Sequence, residues 1–331
     1  MGFFDRKRNL YEQQLHNKRL TIVVMAGFIL FLGLLGFGFD MIMLDFFPMG
    51  TIIALALGAG TAMWSYNSGA VSVMRSTNAY PADPNNPDHR QLINVVDEMT
   101  IASGIPRPKI YIVPDKAPNA FATGKNPEDG YVAVTEGLLE TLNREELQAV
   151  IAHEIAHIRN YDIRLMTIVA ALVGAILLLA MMSRRMMWFG GGRRSGGGGR
   201  GGGGPVMIIV LVLWLIGIIL APIIANMMAM MVSRKREYLA DATAAELTRN
   251  PNGLINALHK ISGSFVKPKA IHRDAAHLCI SDPFHLKREQ RTGFMSDLFS
   301  THPPINKRVE ALRNMAYQYE QKQKKGEVGA G

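Results

Sequence analysis

Residues 153–157 read HEIAH. On a helix, side chains four apart share a face. His153 and His157 therefore present two imidazoles to one metal ion, and Glu154 can reach a water bound to that ion. The chemistry so encoded is metal-assisted hydrolysis with Glu154 as general base. A catalytic zinc, however, has three protein ligands plus a water. One zinc-enzyme pattern continues H-E-x-x-H-x-x-G-x-x-H, but here Asn160 stands at the glycine position and Ile163 at the last histidine. Another arrangement takes a glutamate from a downstream helix. The stretch SRKREYLADATAAEL offers Glu237, with Asp241 four residues on along the same helical face. The plain alternative for Glu237 is one more solvated charge beside Arg234, Lys235 and Arg236; HEIAH upstream weighs against it. The expected set is His153, His157 and Glu237 holding one Zn2+. Asp241 would accept the free N–H of a ligand histidine and fix its orientation. Asp162 would orient or cap the end of the histidine helix.

Several elements must position these residues. Asn143 with Glu146 resembles a capping box and predicts a helix beginning near Asn143. KIYIV (Lys109 to Val113) and YVAVT (Tyr131 to Thr135) are short, β-rich and bounded by turn residues, so they read as strands. NAFATG, Asn119 to Gly124, is a weaker strand candidate between them. As an exposed edge strand, through Asn119, Ala120 and Phe121, it would pair with an extended substrate by main-chain hydrogen bonds, which tolerate many sequences. The turn-rich PADPNNPD leads into a helix over about His89 to Ser103. Residues 306–325 read as a polar surface helix.

The soluble stretches alternate with apolar ones. A basic N-terminus (1–20) precedes the run Thr21 to Phe39, long enough to span a bilayer. A second run, about Phe47 to Trp64, follows after a short turn holding Asp40 and Asp45. The pair reads as a transmembrane hairpin (21–64) with a cytoplasmic N-terminus. Two further runs, about 165–182 and 206–232, flank a Gly/Arg-rich loop (183–205). Their connecting loop carries Arg184, Arg185, Arg193, Arg194 and Arg200 and no acid. That breaks the positive-inside rule if both runs span, so either the loop is an exception or the runs form a re-entrant hairpin; four spans are the expectation. The expected fold is mainly α with a small β-sheet, its catalytic part split between residues 75–164 and 233–325, with a disordered tail at 326–331.

Lys and Arg number 36 against 27 Asp and Glu, a formal charge of +9. The positive charge gathers beside the apolar runs, which marks membrane flanks and argues against a nucleic-acid partner. The single cysteine, Cys279, excludes an internal disulfide framework.

HEIAH, followed by two apolar runs and then SRKREYLAD, resembles the HtpX-type membrane zinc metalloproteases; Oma-type and CAAX prenyl proteases share the core pattern. The resemblance extends over most of the chain and takes in the N-terminal hairpin, NAFATG, and HPP (His302 to Pro304) with Arg308. It implies a gluzincin-like fold in a bacterial inner membrane, with the active site facing the cytoplasm. It further implies cleavage of misfolded or damaged membrane proteins under envelope stress, with protein substrates and the lipid bilayer as partners; an oligomer is compatible with it. Through the family's His-Pro motif, His302 is the candidate to steady the oxyanion, with Tyr161 and Tyr238 as weaker candidates. The competing readings are an inactive scaffold retaining the protease fold, a CAAX-type prenyl-protein endopeptidase, and a zinc transporter. A transporter would carry ionisable residues inside its spans, and the third and fourth runs have none.

Overall fold

The computed structural model describes residues 10–43, 48–169, 234–271, 278–281 and 303–324. Asp45, His302, the Gly/Arg-rich loop, the fourth apolar run and all of the third beyond Val169 lie outside the described residues.

Helices α1 (Leu10–Met43) and α2 (Met49–Ser76) pack as an antiparallel hairpin, and both are long and apolar enough to cross a membrane. Their outward faces carry Ile22, Val23, Leu30, Leu34 and Phe37 on one helix and Ile52, Ile53, Leu57, Met63 and Trp64 on the other, each half exposed or more. Such a continuous apolar belt suits lipid and not water. Small residues let the helices close: a Cβ on Gly36 would lie 2.6 Å from the Gly50 carbonyl oxygen. Asp40 lies within α1 rather than in the connecting turn. Its buried carboxylate accepts from the Gly50 amide (2.6 Å), the Thr51 amide (2.7 Å) and the Thr51 hydroxyl (2.6 Å). It thereby caps α2, whose preceding residue, Pro48, supplies no side-chain cap. α2 also outruns the expected span and continues to Ser76.

A four-stranded sheet follows, in the order β1 (Tyr80–Pro81), β2 (Lys109–Val113), β4 (Gly130–Thr135), β3 (Ala120–Gly124). β2 and β4 are parallel, β3 is antiparallel to β4, and β1 and β3 are the two edges; β3 is not the exposed edge the sequence suggests, since all five of its residues are buried under neighbouring segments. α3 (Pro87–Ser103) and α5 (Arg144–Arg159) bury Leu92, Val95, Val96, Val150, Ile151 and Ile155 in one core with Ile112, Val132 and Val134 of the strands. The short α4 (Glu136–Thr141) links β4 to α5.

The capping box that the sequence suggests is present. Asn143 accepts from the Glu146 amide and donates its own amide to the Glu146 carboxylate, both at 2.9 Å. From Leu147 to Ile158 all but Gln148 is buried, so water is stripped from HEIAH on every side. α6 (Arg234–Thr248) crosses α5, and α7 (Pro251–Gly263) and α8 (Ile305–Lys324) complete that layer. α8 is not simply a surface helix. Its first turns bury Ile305, Arg308, Val309, Leu312 and Ala316, the stripe of a packed amphipathic helix, hidden in the sequence by the arginine at its centre.

A second apolar cluster joins the hairpin to the sheet. Val24, Phe28 and Leu32 of α1 and Val73 and Met74 of α2 pack with Val113, Phe121, Ala133, Leu165 and Ile168. Beside it, the buried carboxylate of Asp115 accepts from the amides of Ala117 (3.0 Å), Lys269 (2.7 Å) and Ala270 (2.7 Å), pinning the segment after α7 to the loop after β2. Asp115→Ala orphans these donors and should cost roughly 2–4 kcal/mol. Thermal unfolding of the detergent-purified protein measures this, and Asp115→Asn, which keeps an acceptor, should lose less.

Candidate metal centre

Where α5 crosses α6, three ligand-type side chains converge. His153 Nε2 and His157 Nε2 are 3.2 Å apart. Glu237 Oε2 lies 3.7 Å from the first and Glu237 Oε1 3.5 Å from the second. All three residues are buried. The helical spacing sets the imidazoles nearly perpendicular, at 89°.

Each ring is held from behind. His153 Nδ1 lies 3.0 Å from Asp241 Oδ1, and His157 Nδ1 lies 3.1 Å from Asp162 Oδ2. With a proton on each Nδ1 directed to a carboxylate, both Nε2 lone pairs point inward at each other and at Glu237. Three acceptors facing one another in a dry interior repel unless a cation lies between them. Ligand atoms about 2.0–2.1 Å from a tetrahedral zinc stand roughly 3.3 Å apart, so the triangle fits such an ion. The charge balance agrees. The carboxylates of Glu154, Asp162, Glu237 and Asp241 cluster with the guanidiniums of Arg236 and Arg308. With neutral histidines two negative charges are left over, the charge that a divalent ion balances.

Asp162 reaches His157 through a local reversal. α5 ends at Asn160, and Tyr161 adopts φ +61°. That left-handed residue after the helix C-cap turns the chain so that Asp162 comes back under the second histidine. A helical stretch over residues 162–169 follows.

Arg308 of α8 ties the rest together. Its Nε and Nη2 donate to the two Asp241 oxygens at 2.9 and 2.7 Å, its Nη1 lies 3.4 Å from Glu237 Oε2, and Nη1 donates to the Ile280 carbonyl at 2.7 Å. It is fully buried. Burial works against the charge on Asp241, but the Arg308 charge and the bonds from His153 and Arg308 outweigh it, holding that carboxyl below its ordinary range. The sequence singles out Arg308 only within the His-Pro motif. The one signal for its role is an arginine on the apolar stripe of an otherwise polar helix.

Glu154 differs from the other carboxylates. Neither of its oxygens has a hydrogen-bond partner among the described residues. Burial pushes its pKa up to about 7; Glu237 adds to this, while the charges of His157 and Arg308 oppose it. A carboxyl poised there exchanges protons readily at neutral pH. For His157, burial favours the neutral ring, but Asp162 and Glu237 outweigh it and drive its pKa up to about 10. Metal binding therefore has to displace a proton.

The edge of β3 runs beside Glu154. Thr135 N donates to the Asn119 carbonyl, so by strand alternation the main-chain groups of residues 120, 122 and 124 face outward. The Ala120 carbonyl takes the Ile280 amide (3.0 Å), the Asn119 side chain donates to the Ser281 carbonyl (2.9 Å), and Phe121 is fully buried opposite Cys279. Gly124 donates its amide to Thr167. These residues hold the chain's own segments, and Ala122 is left as the outward position nearest Glu154. Cys279 is buried and outside any disulfide. Tyr161 serves the turn, and Tyr238 is half-buried on α6.

Residues 86–316 match peptidase family M48. Proteins described as "Protease HtpX homolog" are similar over most of the chain. The one from Listeria monocytogenes serotype 4a (strain HCC23) is 44% identical over 309 residues, covering 92% of this chain and all of that protein. The one from Streptococcus pyogenes serotype M28 (strain MGAS6180) is 42% identical over 306 residues with the same coverage. Among solved structures, Ste24p from S. mikatae aligns with a TM-score of 0.47 and 19% identity over 92% of this chain and 66% of that one. The chain belongs to peptidase family M48, as an HtpX-type membrane metalloprotease.

Arg308→Ala would leave Asp241 and Glu237 buried without their countercharge. We expect a loss of about 3–5 kcal/mol, read as an early thermal transition. Arg308→Lys, which keeps charge but not the bidentate fork, should fall between it and the parent.

Proposed function

We propose that this chain is a zinc-dependent endopeptidase of the bacterial inner membrane that cleaves misfolded or damaged membrane proteins on the cytoplasmic side. The observation that carries the reading is the inward-facing triangle of His153, His157 and Glu237, 3.2–3.7 Å on a side, within reach of an uncapped buried Glu154.

In this reading His153, His157 and Glu237 hold the ion, and Asp241 and Asp162 orient the two imidazoles. Zinc, when bound, supplies Lewis acidity that activates water and polarises a carbonyl. Glu154 takes a proton from the attacking water and delivers it to the leaving amine, a double task suited to a pKa about 7. An extended substrate lies along β3 with main-chain pairing centred on Ala122. Asn119, Ala120 and Phe121 shape that edge from its first half, and His302 steadies the oxyanion.

The cytoplasmic assignment is supported by the basic N-terminus before α1. The hairpin returns α2 to the same side, and the sheet and α5 follow directly. Apolar residues shared between α1 and the sheet draw the centre toward the bilayer surface. Position can then select membrane substrates where strand pairing imposes little sequence choice.

The test compares detergent-purified parent, Glu154→Gln and Glu237→Ala, each loaded with zinc, on an unfolded protein substrate and on the chain itself. The parent should cleave and a chelator should abolish cleavage. Glu154→Gln should retain one zinc per chain and lose about 100-fold or more in rate, whereas Glu237→Ala should lose the zinc. Zinc bound tightly by Glu237→Ala would remove Glu237 from the ligand set. Asp162→Ala and Asp241→Ala should each weaken zinc binding by about 10–100-fold, measured by competition with a chromogenic chelator.

A further inference from the structure

Past the Gly124 end of β3, a cleft of about 240 Å³ opens between α2, the turn after β3 and the helical stretch 162–169. It lies where the lipid-facing surface of α2 stops. Met63 and Trp64 are exposed and apolar, and the next residues are Ser65, Tyr66, Asn67 and Ser68. An apolar belt ending in Trp and Tyr marks the headgroup level of a bilayer.

The cleft contains a cation that no described carboxylate pairs with. Lys125 and Asp129 pair at 3.6 Å and largely cancel. The guanidinium of Arg164 lies over the rings of Tyr66 and Tyr161, 5.6 Å from each centroid, and its Nε donates to the Lys125 carbonyl at 2.5 Å. Among the described residues no carboxylate pairs with it. It is thus held in place, and its remaining N–H groups have no partner among the described residues. A second observation points to a ligand. Ser65 lines the same cleft, is 1% exposed, and its hydroxyl has no hydrogen-bond partner among the described residues. Buried hydroxyls are rarely left so.

The walls are closely packed. A Cβ on Gly69 would lie 3.0 Å from Thr167 Cγ2, so α2 and the 162–169 stretch are in close contact. Thr167 Oγ1 lies 2.7 Å from Thr123 Oγ1 and accepts from the Gly124 amide at 3.2 Å. The cleft is therefore tied to the strand whose Ala122 lies beside Glu154.

We propose that this cleft binds the phosphate of an anionic phospholipid headgroup. Arg164 supplies the fixed charge, Ser65 and Tyr66 supply hydroxyls, and the acyl chains lie along the apolar face of α2. Planar guanidinium is suited to phosphate, and a phospholipid is the phosphate source at this depth.

The full-length protein in detergent is titrated with phosphatidylglycerol, phosphatidylcholine and inorganic phosphate, and retained ligand is counted by native mass spectrometry. The parent should retain phosphatidylglycerol preferentially. Arg164→Ala should weaken its binding by about 10–100-fold, the usual loss for a charge-assisted hydrogen bond. Ser65→Ala, a change too small to threaten folding, should weaken it several-fold. Zinc content and cleavage of a soluble unfolded protein in detergent serve as controls for an intact protease site, so failure here is separable from failure of the proposed proteolysis. Equal retention of both lipids, or phosphatidylglycerol binding unchanged in both variants, would overturn the proposal. So would inorganic phosphate competing as well as the lipid, which indicates a free-anion site. Displacement of the lipid by a saturating unfolded substrate would reassign the cleft to the substrate path.

Discussion

Two imidazole nitrogens and a carboxylate are held within 3.7 Å of one another in a buried interior. Held this close they favour a proton on His157, which a bound cation would have to displace, and the surrounding tethers fix where each group points. The tethers come from different parts of the chain: Asp162 from the turn after α5, Asp241 from α6, and Arg308 from α8. Truncating or loosening any one element therefore acts on the same few atoms. It also explains why a helix as polar in composition as α8 is packed inward. Its buried arginine answers carboxylates that would otherwise be uncompensated.

The same constraint separates the four carboxylates gathered around the two histidines by what surrounds each. Asp241 is bonded by a guanidinium and an imidazole and stays ionised. Asp162 faces His157 and Arg236. Glu237 has Arg308 alongside and the histidines in front. Glu154 alone lacks such support, and burial raises its pKa to about 7. Four similar groups thus divide into three held by charged partners and one that is not, a separation made by environment alone.

HEIAH, Glu237 and Asp241 were legible in the sequence because each lies in a helix, where spacing alone fixes which side chains share a face. The capping box at Asn143 was legible for the same local reason. Contacts that depend on long-range placement were not. Asp115 reads as a turn residue, and nothing near it announces that it holds amides more than 150 residues away. Arg308 reads as one of many cations in a basic helix until α8 is packed against α6. Asp40 was placed in a turn because apolar runs mark lipid-compatible composition, not helix ends, and α1 continues past the charge it uses to cap α2. For β3 the existence of the strand was readable. Which of its residues faces outward near Glu154 was not, because that depends on its register against β4 and on residues 278–281.

β3 is therefore the element on which the separate parts converge. One end is fastened through Asn119 and Ala120 to Ser281 and Ile280, a segment that Arg308 also grips. The other end is fastened through Thr123 and Gly124 to Thr167, in the stretch packed against α2. The strand cannot shift toward or away from Glu154 without straining one of these fastenings. The first communicates with the metal-site arginine and the second with the membrane hairpin. The distance between β3 and Glu154 is thus set jointly by the contacts of Arg308 and by how the hairpin seats. Part of what fixes that distance therefore lies in the two long apolar helices, through the packing of α2 on the stretch that holds Thr167.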